Sequence, residues 1–304
     1  MPRCGASKPD TAYQNMSIAS LLLSNPGSRS GDTRLDEVAD RLERLGKLIR
    51  IQPETPEELP EAIREHGKQV DQVVLGGGDG SVNLALDALI EVNRPLGLLP
   101  LGTANDLARS LSIPEDINAA MDIITRGHLR RIDVARANDV SFVNAIGMGL
   151  GPRMTREMDG DIKQRFGVLA YLIGVVRALR GQRCFAAEVS DQRRRRVGRF
   201  LQITVANGIH YGGGMTVSED AKLDDGMLDV LLVERQSRLS LLLNALRFRT
   251  GQTRGADNVI HWRCRELQVE TRPALEITAD GEFLTRTPVS CSVCPGALGV
   301  FAPE

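Results

Sequence analysis

The chain has 304 residues, which exceeds the size at which one hydrophobic core usually stops growing, so two domains are expected. Its 38 basic and 39 acidic residues nearly cancel, which argues against a partner recognised by overall charge, nucleic acid in particular. Five scattered cysteines and an N-terminus without an apolar stretch predict a cytoplasmic protein. The longest apolar run, 166–179, is shorter than the roughly 20 residues of a membrane-spanning helix.

The first 130 residues alternate between predicted strands and predicted helices. Apolar residues at helical spacing, followed by Gly46 as the C′ residue, mark the first helix. Alternation of this kind predicts βαβ units, and hence an α/β domain with a mostly parallel sheet covered on both faces. The predicted strands are 17–24, 47–51, 71–76 and 95–102, and the predicted helices are 33–46, 56–67, 81–92 and 103–111.

After about residue 130 the pattern changes to short strands separated by turn residues. Such a series predicts a second, mainly antiparallel β domain over 131–290, and residues from about 290 to 304 could return to the first domain. The predicted elements are two strands around an Asn138–Asp139 turn in 131–147, a hairpin in 183–208, a helix at 237–249, and strands at 227–234, 258–263, 266–271, 274–279 and 288–293.

Three glycines, Gly76, Gly77 and Gly78, follow the third predicted strand and precede Asp79. Without Cβ atoms, the amide groups of such a turn can surround a phosphate. The stretch does not fit a Walker A loop, which needs GKS or GKT, or a dinucleotide fingerprint, because Ser81 stands where its third glycine would be. A carboxylate beside a phosphate would repel it unless a cation lay between them, so Asp79 indicates a nucleotide bound with Mg²⁺. The alternative is an ordinary strand-to-helix turn.

Further acids follow at turns of the predicted sheet. Gly102 and Thr103 again stand between a strand and a helix, Asp106 lies in the first turn of that helix, and Asp133 begins the second domain. Open α/β sheets bind ligands at these carboxyl ends of their strands. Together with Asp79, the acids could form an outer shell around hydrated Mg²⁺, although each alone could be a capping or surface residue.

The motifs in their order resemble those of the bacterial diacylglycerol kinases and sphingosine kinase-like lipid kinases. They span residues 25–282, so the series is more specific than any one of its members. The matching stretches are SNPGSRSG, GGGDGSVN, PLGTANDLAR, Asp133, NGIHYGGGM, AKLDDGMLDV and the late sequence Asp280, Gly281 and Glu282.

The resemblance implies a nucleotide site, a catalytic Mg²⁺ held through water, a pair of acids at the acceptor hydroxyl and a second, structural Mg²⁺. For the structural Mg²⁺, a simple β-turn at Asp225–Gly226 is an equally good interpretation. The implied residues are Asn25, Gly76, Gly77, Gly78, Asp79, Gly80, Gly102 and Thr103 at the nucleotide, Asp79, Asp106 and Asp133 around the catalytic Mg²⁺, Asp280 and Glu282 at the acceptor, and Asp225 with the carbonyls of Lys222 and Met227 at the structural Mg²⁺.

The implied activity is Mg²⁺-dependent transfer of the γ-phosphate of ATP to a hydroxyl of a lipid such as diacylglycerol. A lipid acceptor implies contact with the membrane surface, to which the segment 149–181 and the arginine run 193–196 could contribute; a solvated hairpin tip is the other interpretation of that run. The alternatives are a kinase with the same glycine–aspartate loop acting on NAD or a sugar phosphate, and a non-catalytic nucleotide-binding regulator. No nucleic-acid partner is expected, and a homodimer is left open.

Overall fold

The structure is a computed structural model that describes residues 17–24, 32–150, 184–211, 215–217, 221–236, 240, 258–280 and 282–304. Within these ranges the chain forms an N-terminal α/β part and a C-terminal antiparallel part, as predicted. Fifteen of their strands join in one sheet, and two short strands, 210–211 and 215–216, form a separate pair. Asn25 lies outside the described residues, as do almost all of the helix predicted at 237–249 and of the segment 149–181.

The N-terminal part of the sheet is parallel. Its strands lie in the order β2-β1-β3-β4, and the helices between them return the chain to the same edge. All residues of β1, β3 and β4 are buried, as expected for strands covered by helices on both faces. The strands are β1 (Ser20–Ser24), β2 (Leu48–Ile51), β3 (Gln72–Gly77) and β4 (Leu96–Pro100).

Four helices of this part were predicted, and a fifth was not. The fifth, α5, begins where the Asp116 side chain accepts a hydrogen bond from the amide of Ala119 at 2.9 Å, and it ends at Gly127, whose φ is 73°. Asp before a helix and Gly after it are known signals for a helix start and a helix end, and both are visible in the sequence. The helices are α1 (Asp32–Leu45), α2 (Leu59–His66), α3 (Asp79–Val92), α4 (Asp106–Ser110) and α5 (Ile117–Arg126).

The pairs formed wholly within the C-terminal part are antiparallel in every described case, which confirms the predicted β class. Its strands are β5 (Leu129–Ala137), β6 (Val140–Phe142), β7 (Ala145–Gly149), β8 (Phe185–Ser190), β9 (Arg195–Ala206), β10 (His210–Tyr211), β11 (Met215–Thr216), β12 (Leu228–Glu234), β13 (Val259–Cys264), β14 (Glu266–Arg272), β15 (Glu276–Ala279), β16 (Glu282–Arg286) and β17 (Val289–Phe301).

The last strand connects the two parts. β17 has 13 residues: its first half pairs with β14, and at its end Val300 pairs with Leu96 of β4 in parallel. The side chains of Leu298 and Phe301 belong to the core of the α/β part, whereas Cys291 belongs to the core of the antiparallel part. The two cores are therefore tied by one continuous strand, and the carboxyl ends of β3 and β4 face the antiparallel part.

Candidate active site

The turn after β3 and the turn after β4 meet backbone to backbone. A Cβ atom on Gly78 would lie 2.9 Å from the Cα of Gly102, and one on Gly102 would lie 2.6 Å from the Cα of Gly78. Any larger residue at either position would separate the turns. Thr103 and Gly102 are exposed, so the two turns present a surface of main-chain atoms on which a phosphate could be bound.

Two of the predicted nucleotide residues have a packing role instead of an exposed one. Gly76 and Gly77 are buried at the end of β3. A Cβ atom on Gly76 would lie 3.0 Å from the Leu101 side chain, and one on Gly77 would lie 2.6 Å from the Cβ of Ser81. These glycines therefore let α3 begin directly at the strand end, while Gly78 and Gly80 remain partly accessible.

Asp79 holds the two turns together. Its carboxylate accepts hydrogen bonds from the backbone amides of Asp106 and Leu107, at 2.9 and 3.0 Å, and so caps the start of α4. A third bond, at 3.0 Å, comes from the Asn144 side chain in the loop before β7. Asp79 is only 7% exposed, so its carboxylate is satisfied by the protein and positions the second turn and the antiparallel part around the first.

Asp280 and Glu282 reach the same place from the antiparallel part. Asp280 lies in the turn between β15 and β16, and its Oδ2 accepts hydrogen bonds from the side chains of Asn83 in α3, at 2.9 Å, and of Asn144, at 3.4 Å. A Cβ atom on Gly80 would lie 3.2 Å from Oε1 of Glu282. The structure therefore brings both acids of the late turn onto the glycine turn, across the boundary between the two parts.

The electrostatics of this cluster favour a cation. Burial raises the pKa of Asp280 to about 7, and the charges of Asp79 and Asp106 add to the effect, while hydrogen bonds from Asn83 and Asn144 oppose it. Within the described ranges, Oδ1 of Asp280 is buried and has no hydrogen-bond partner. A buried carboxylate beside two others is stabilised when a positive charge enters the site.

The carboxylates of the cluster are of the ligand type that Mg²⁺ takes. Among the residues that the structure describes, no group of three or more His, Cys, Asp and Glu side chains has the spacing of a metal site. Mg²⁺ usually keeps several waters and takes one or two carboxylates from the protein, which is compatible with the Asp280 and Asp106 carboxylates.

Asp133 lies in β5, and its carboxylate contacts a turn other than the two glycine turns. Its Oδ2 accepts a hydrogen bond from the amide of Gly226 at 2.6 Å, and its Oδ1 accepts one from the amide of Gly296 at 2.8 Å. Both glycines have left-handed φ values, 67° and 58°. Asp133 therefore joins the Asp225–Gly226 turn to the irregular stretch of β17, and the hydrogen bonds of its carboxylate do not run to Asp79 or Asp106.

The predicted second Mg²⁺ site already has a cation of the protein beside it. One oxygen of Asp225 accepts a hydrogen bond from the amide of Met227 at 3.0 Å, and the other pairs with the Arg263 guanidinium at 2.5 Å. A metal ion at Asp225 would have to compete with Arg263. Lys222 precedes this turn and is exposed, and its role as a metal ligand stays a prediction.

The sequence motifs did not single out the asparagines of the site. Asn105 has a left-handed φ of 50° and exchanges hydrogen bonds of 3.0 Å with both backbone groups of Gly102, which fixes the second turn. Asn83 and Asn144 contact Asp280, and Asn144 is completely buried. One signal was available, because Asn83 lies four residues after Asp79 and so on the same face of the predicted helix.

A histidine from the motif NGIHYGGGM lies beside α4. Nδ1 of His210, in β10, lies 3.0 Å from Oγ of Ser110 at the end of α4. Burial lowers the pKa of His210, the negative charge of Asp106 opposes that shift, and Arg109 adds to it. The position of this motif next to α4 was not predicted.

The chain is similar to lipid kinases over most of its length. Two family profiles match: the diacylglycerol kinase catalytic domain over residues 19–137, and the YegS C-terminal NAD kinase beta sandwich-like domain over residues 144–302. A "Probable lipid kinase YegS" of Salmonella arizonae is 34% identical over 237 residues, which cover 75% of this chain and 77% of the relative. A "Probable lipid kinase YegS-like" of Enterobacter sp. is 32% identical over 296 residues, covering 93% and 96%.

Two further similar proteins differ in what they show: the first is longer than the matched region, and the second has a known structure. An uncharacterized protein of Synechocystis sp. is 30% identical over 81% of this chain, and the match spans 59% of that protein's length. The crystal structure of a "putative diacylglycerol kinase" from Bacillus anthracis superimposes with a TM-score of 0.83 at 25% identity, covering 95% of this chain and 99% of the other. In the described part of the chain, no helix combines the length and the apolar character that crossing a membrane requires.

Proposed function

The chain belongs to the YegS-like lipid kinases with a diacylglycerol kinase catalytic domain, and we propose that it transfers the γ-phosphate of ATP, with Mg²⁺, to a hydroxyl of a lipid such as diacylglycerol. One observation carries the proposal: Glu282 and Asp280, from the antiparallel part, lie against the glycine turn of the α/β part. A kinase needs this arrangement, because a proton acceptor must stand where the acceptor hydroxyl meets the phosphate.

The two glycine turns would bind the phosphates of ATP. The amides of Gly78 and Gly80 can approach a phosphate without interference from a side chain, and the N-terminus of α3 adds a favourable dipole. Gly102 leaves room beside them, while its own amide is held by Asn105. Asp79 does not contact the phosphates in this mechanism. It fixes the turns relative to one another through the start of α4, and so determines where the phosphates lie.

The carboxylates of Asp280 and Asp106 would hold Mg²⁺ through water. When bound, Mg²⁺ supplies the positive charge that neutralises the phosphoryl group and the leaving oxygen. It also favours the ionised form of Asp280, whose pKa burial otherwise raises to about 7. With Asp280 ionised, the amides of Asn83 and Asn144 keep its carboxylate in place beside Glu282.

Glu282 would be the general base. Its carboxylate accepts the proton of the lipid hydroxyl while the hydroxyl oxygen forms its bond to phosphorus and the bond to the leaving oxygen of ADP breaks. A lipid is proposed as the acceptor because the relatives are named probable lipid kinases. The same names favour a lipid over NAD and sugar phosphates, the acceptors of the alternative kinases. Use of ATP would place the reaction in the cytoplasm, and a lipid acceptor would place it at a membrane surface.

The test is transfer of labelled γ-phosphate from ATP to lipids in mixed micelles. We expect Mg²⁺-dependent labelling of at least one of diacylglycerol, ceramide, a sphingoid base and phosphatidylglycerol, and none of NAD. Glu282→Gln should lower turnover by about 10²–10⁴-fold with ATP affinity unchanged, because only the proton acceptor is lost.

The matched control is Glu276→Gln, on the neighbouring strand of the same hairpin, where the carboxylate pairs with Arg286 at 3.0 Å. This exposed pair should matter little to turnover or stability. Labelling of NAD alone would favour the alternative kinase, and ATP binding without transfer to any acceptor would favour the regulator. Wild-type turnover in Glu282→Gln would refute the assignment of the base.

A further inference from the structure

A second concave site lies away from the glycine turns. A cavity of about 640 Å³ is enclosed by the tip of the β8–β9 hairpin, the turn between β13 and β14, and the residue before β12. None of its lining residues belongs to the glycine turns or the acids around them, although Met227 and Arg263 adjoin the Asp225–Gly226 turn. The lining residues are Asp191, Gln192, Arg193, Arg194, Met227, Arg263, Cys264, Arg265 and Glu266, so that basic side chains outnumber acidic ones two to one.

The two acids of the cavity are already engaged. Asp191 accepts a hydrogen bond from the indole of Trp262 at 2.6 Å and two more, each of 2.6 Å, from the amides of Arg193 and Arg194. Glu266 accepts one from the side chain of Gln192 at 3.1 Å. These contacts fix the hairpin tip, and Oδ2 of Asp191 also lies 4.0 Å from Nε of Arg194, so this acid offsets the charge of Arg194.

Two arginines of the cavity have a defined place. Arg194 lies over the ring of Trp262, 5.4 Å from its centroid, an arrangement that holds the guanidinium at the wall. Arg263 pairs with Asp225 and, at 3.2 Å, with Asp229. For Arg193 and Arg265, by contrast, the structure shows no ion pair within the residues that it describes.

The rest of the arginine run points elsewhere. Arg195 pairs with Glu188 at 2.5 Å, and Arg196 pairs with Glu234 at 2.6 Å. Of the four arginines that the sequence offered for attraction to anionic lipid, these two are therefore balanced by acids, and the other two line the cavity. Arg193, the member of this run for which the described residues show no ion pair, therefore lies at the cavity together with Arg265.

We propose that this cavity binds a phosphate group, through Arg193 and Arg265 with Arg194 and Arg263 at the wall. Guanidinium groups bind phosphate oxygens in pairs, and a phosphate would reduce the repulsion between arginines that lack acidic partners. The volume lies in the range of small-molecule sites and exceeds what inorganic phosphate needs, so a phosphorylated headgroup also fits. The proposal stands independently of the kinase activity.

Trp262 offers a local probe, because it is the only tryptophan of the chain and lies beneath Arg194. Titration with inorganic phosphate should change its fluorescence in a saturable way, whereas chloride at equal ionic strength should not. The double variant Arg193→Gln/Arg265→Gln should weaken phosphate binding at least tenfold. The control Arg195→Gln/Arg196→Gln removes two positive charges as well, from β9 outside the cavity, and should bind as wild type does.

A second arm distinguishes the sources of phosphate. Vesicles of phosphatidylcholine with and without phosphatidic acid are added in place of inorganic phosphate. A response to phosphatidic acid alone, lost in the double variant, would assign the cavity to a headgroup; a response to both would assign it to the phosphate group itself. Equal loss in the two double variants, an equal response to chloride, or no response to either probe would overturn the proposal.

The variants should fold, since Arg193 and Arg265 are exposed. Circular dichroism and ATP affinity check this directly. If the double variant is nevertheless unfolded, the single variant Arg193→Gln, on the hairpin tip, is titrated instead, and a phosphate affinity equal to that of wild type would then overturn the proposal.

Discussion

Asn144 is the residue on which the two halves of the site depend most directly. Its side-chain amide donates to Asp79 from one part and to Asp280 from the other, so it separates two carboxylates that would otherwise repel each other. It is completely buried, and its loss would leave the oxygens of two buried acids with one donor fewer.

We expect Asn144→Ala to lower the free energy of unfolding by about 1–3 kcal/mol, the usual cost of leaving buried polar groups unsatisfied. It should also lower turnover, because the carboxylates of Asp280 and Asp79 would no longer be held in a fixed position relative to each other. Urea unfolding and the transfer assay measure the two effects. Asn118→Ala, in the exposed first turn of α5, is the control and should change neither.

Asp280 makes stability depend on pH. Its pKa is about 7 in the folded protein, mainly because of burial, and about 3.9 in an unfolded chain, so the folded state binds more protons between these values. The free energy of unfolding should therefore fall as the pH rises from about 4 to about 7, by at most roughly 4 kcal/mol, since one pKa unit corresponds to about 1.4 kcal/mol.

Asp280→Asn removes this titration and should be more stable than wild type above about pH 7, with no difference below about pH 4. The measurement is urea unfolding at several pH values in the presence of chelator. Asp139→Asn, in the exposed turn between β5 and β6, is the control. Parallel pH profiles for wild type and Asp280→Asn would show that the carboxyl is not perturbed in this way.

At the scale of the elements, local patterns predicted most of the fold. The alternation of apolar runs with helical periodicity identified the parallel strands and four of the helices, and α2 tolerates Pro60 because that residue lies in its first turn. The partners of Asp133 could not be predicted in this way. They are 93 and 163 residues away in sequence, and tertiary structure alone brings them together: the pairing of β17 with β5 places Gly296 beside Asp133, and the turn before β12 places Gly226 there.

The contact between the two glycine turns could not be predicted from the sequence either, although both turns were predicted. It allows a test of the nucleotide site. In Gly102→Ala, the added Cβ would lie 2.6 Å from the Cα of Gly78, so the second turn must move away from the first. We expect ATP affinity to fall at least tenfold and stability by about 1–3 kcal/mol.

Isothermal titration with ATP in the presence of Mg²⁺ measures this effect. Gly198→Ala in β9 is the control, because the three atoms nearest to its Cβ, from 3.1 Å, would all belong to the ring of Phe200. That variant should bind ATP as wild type does. An unchanged affinity in Gly102→Ala would mean that the nucleotide does not use these turns.

At the scale of the whole molecule, the path of the chain through both parts decides how it unfolds. The family profiles divide the chain near residue 140, yet the C-terminal strand β17 returns to pair with β4 after crossing the antiparallel part. Side chains from one strand thus lie in both cores. The boundary between the two family profiles therefore need not separate two independently unfolding units, and we expect the two parts to unfold in one transition.

Phe301→Ala tests this coupling. Phe301 is fully buried in the core of the α/β part, so its truncation should lower the free energy of unfolding by about 3–5 kcal/mol. Trp262 reports on the other core, and far-UV circular dichroism at 222 nm reports mainly on the helices of the first part. If β17 couples the parts, both signals should shift to the same lower urea midpoint, because one cooperative transition has a single free energy.

Phe283→Ala, at a site 61% exposed in β16, should leave both midpoints near those of wild type. A Trp262 midpoint that stays in place while the helical signal moves would show instead that the parts unfold independently.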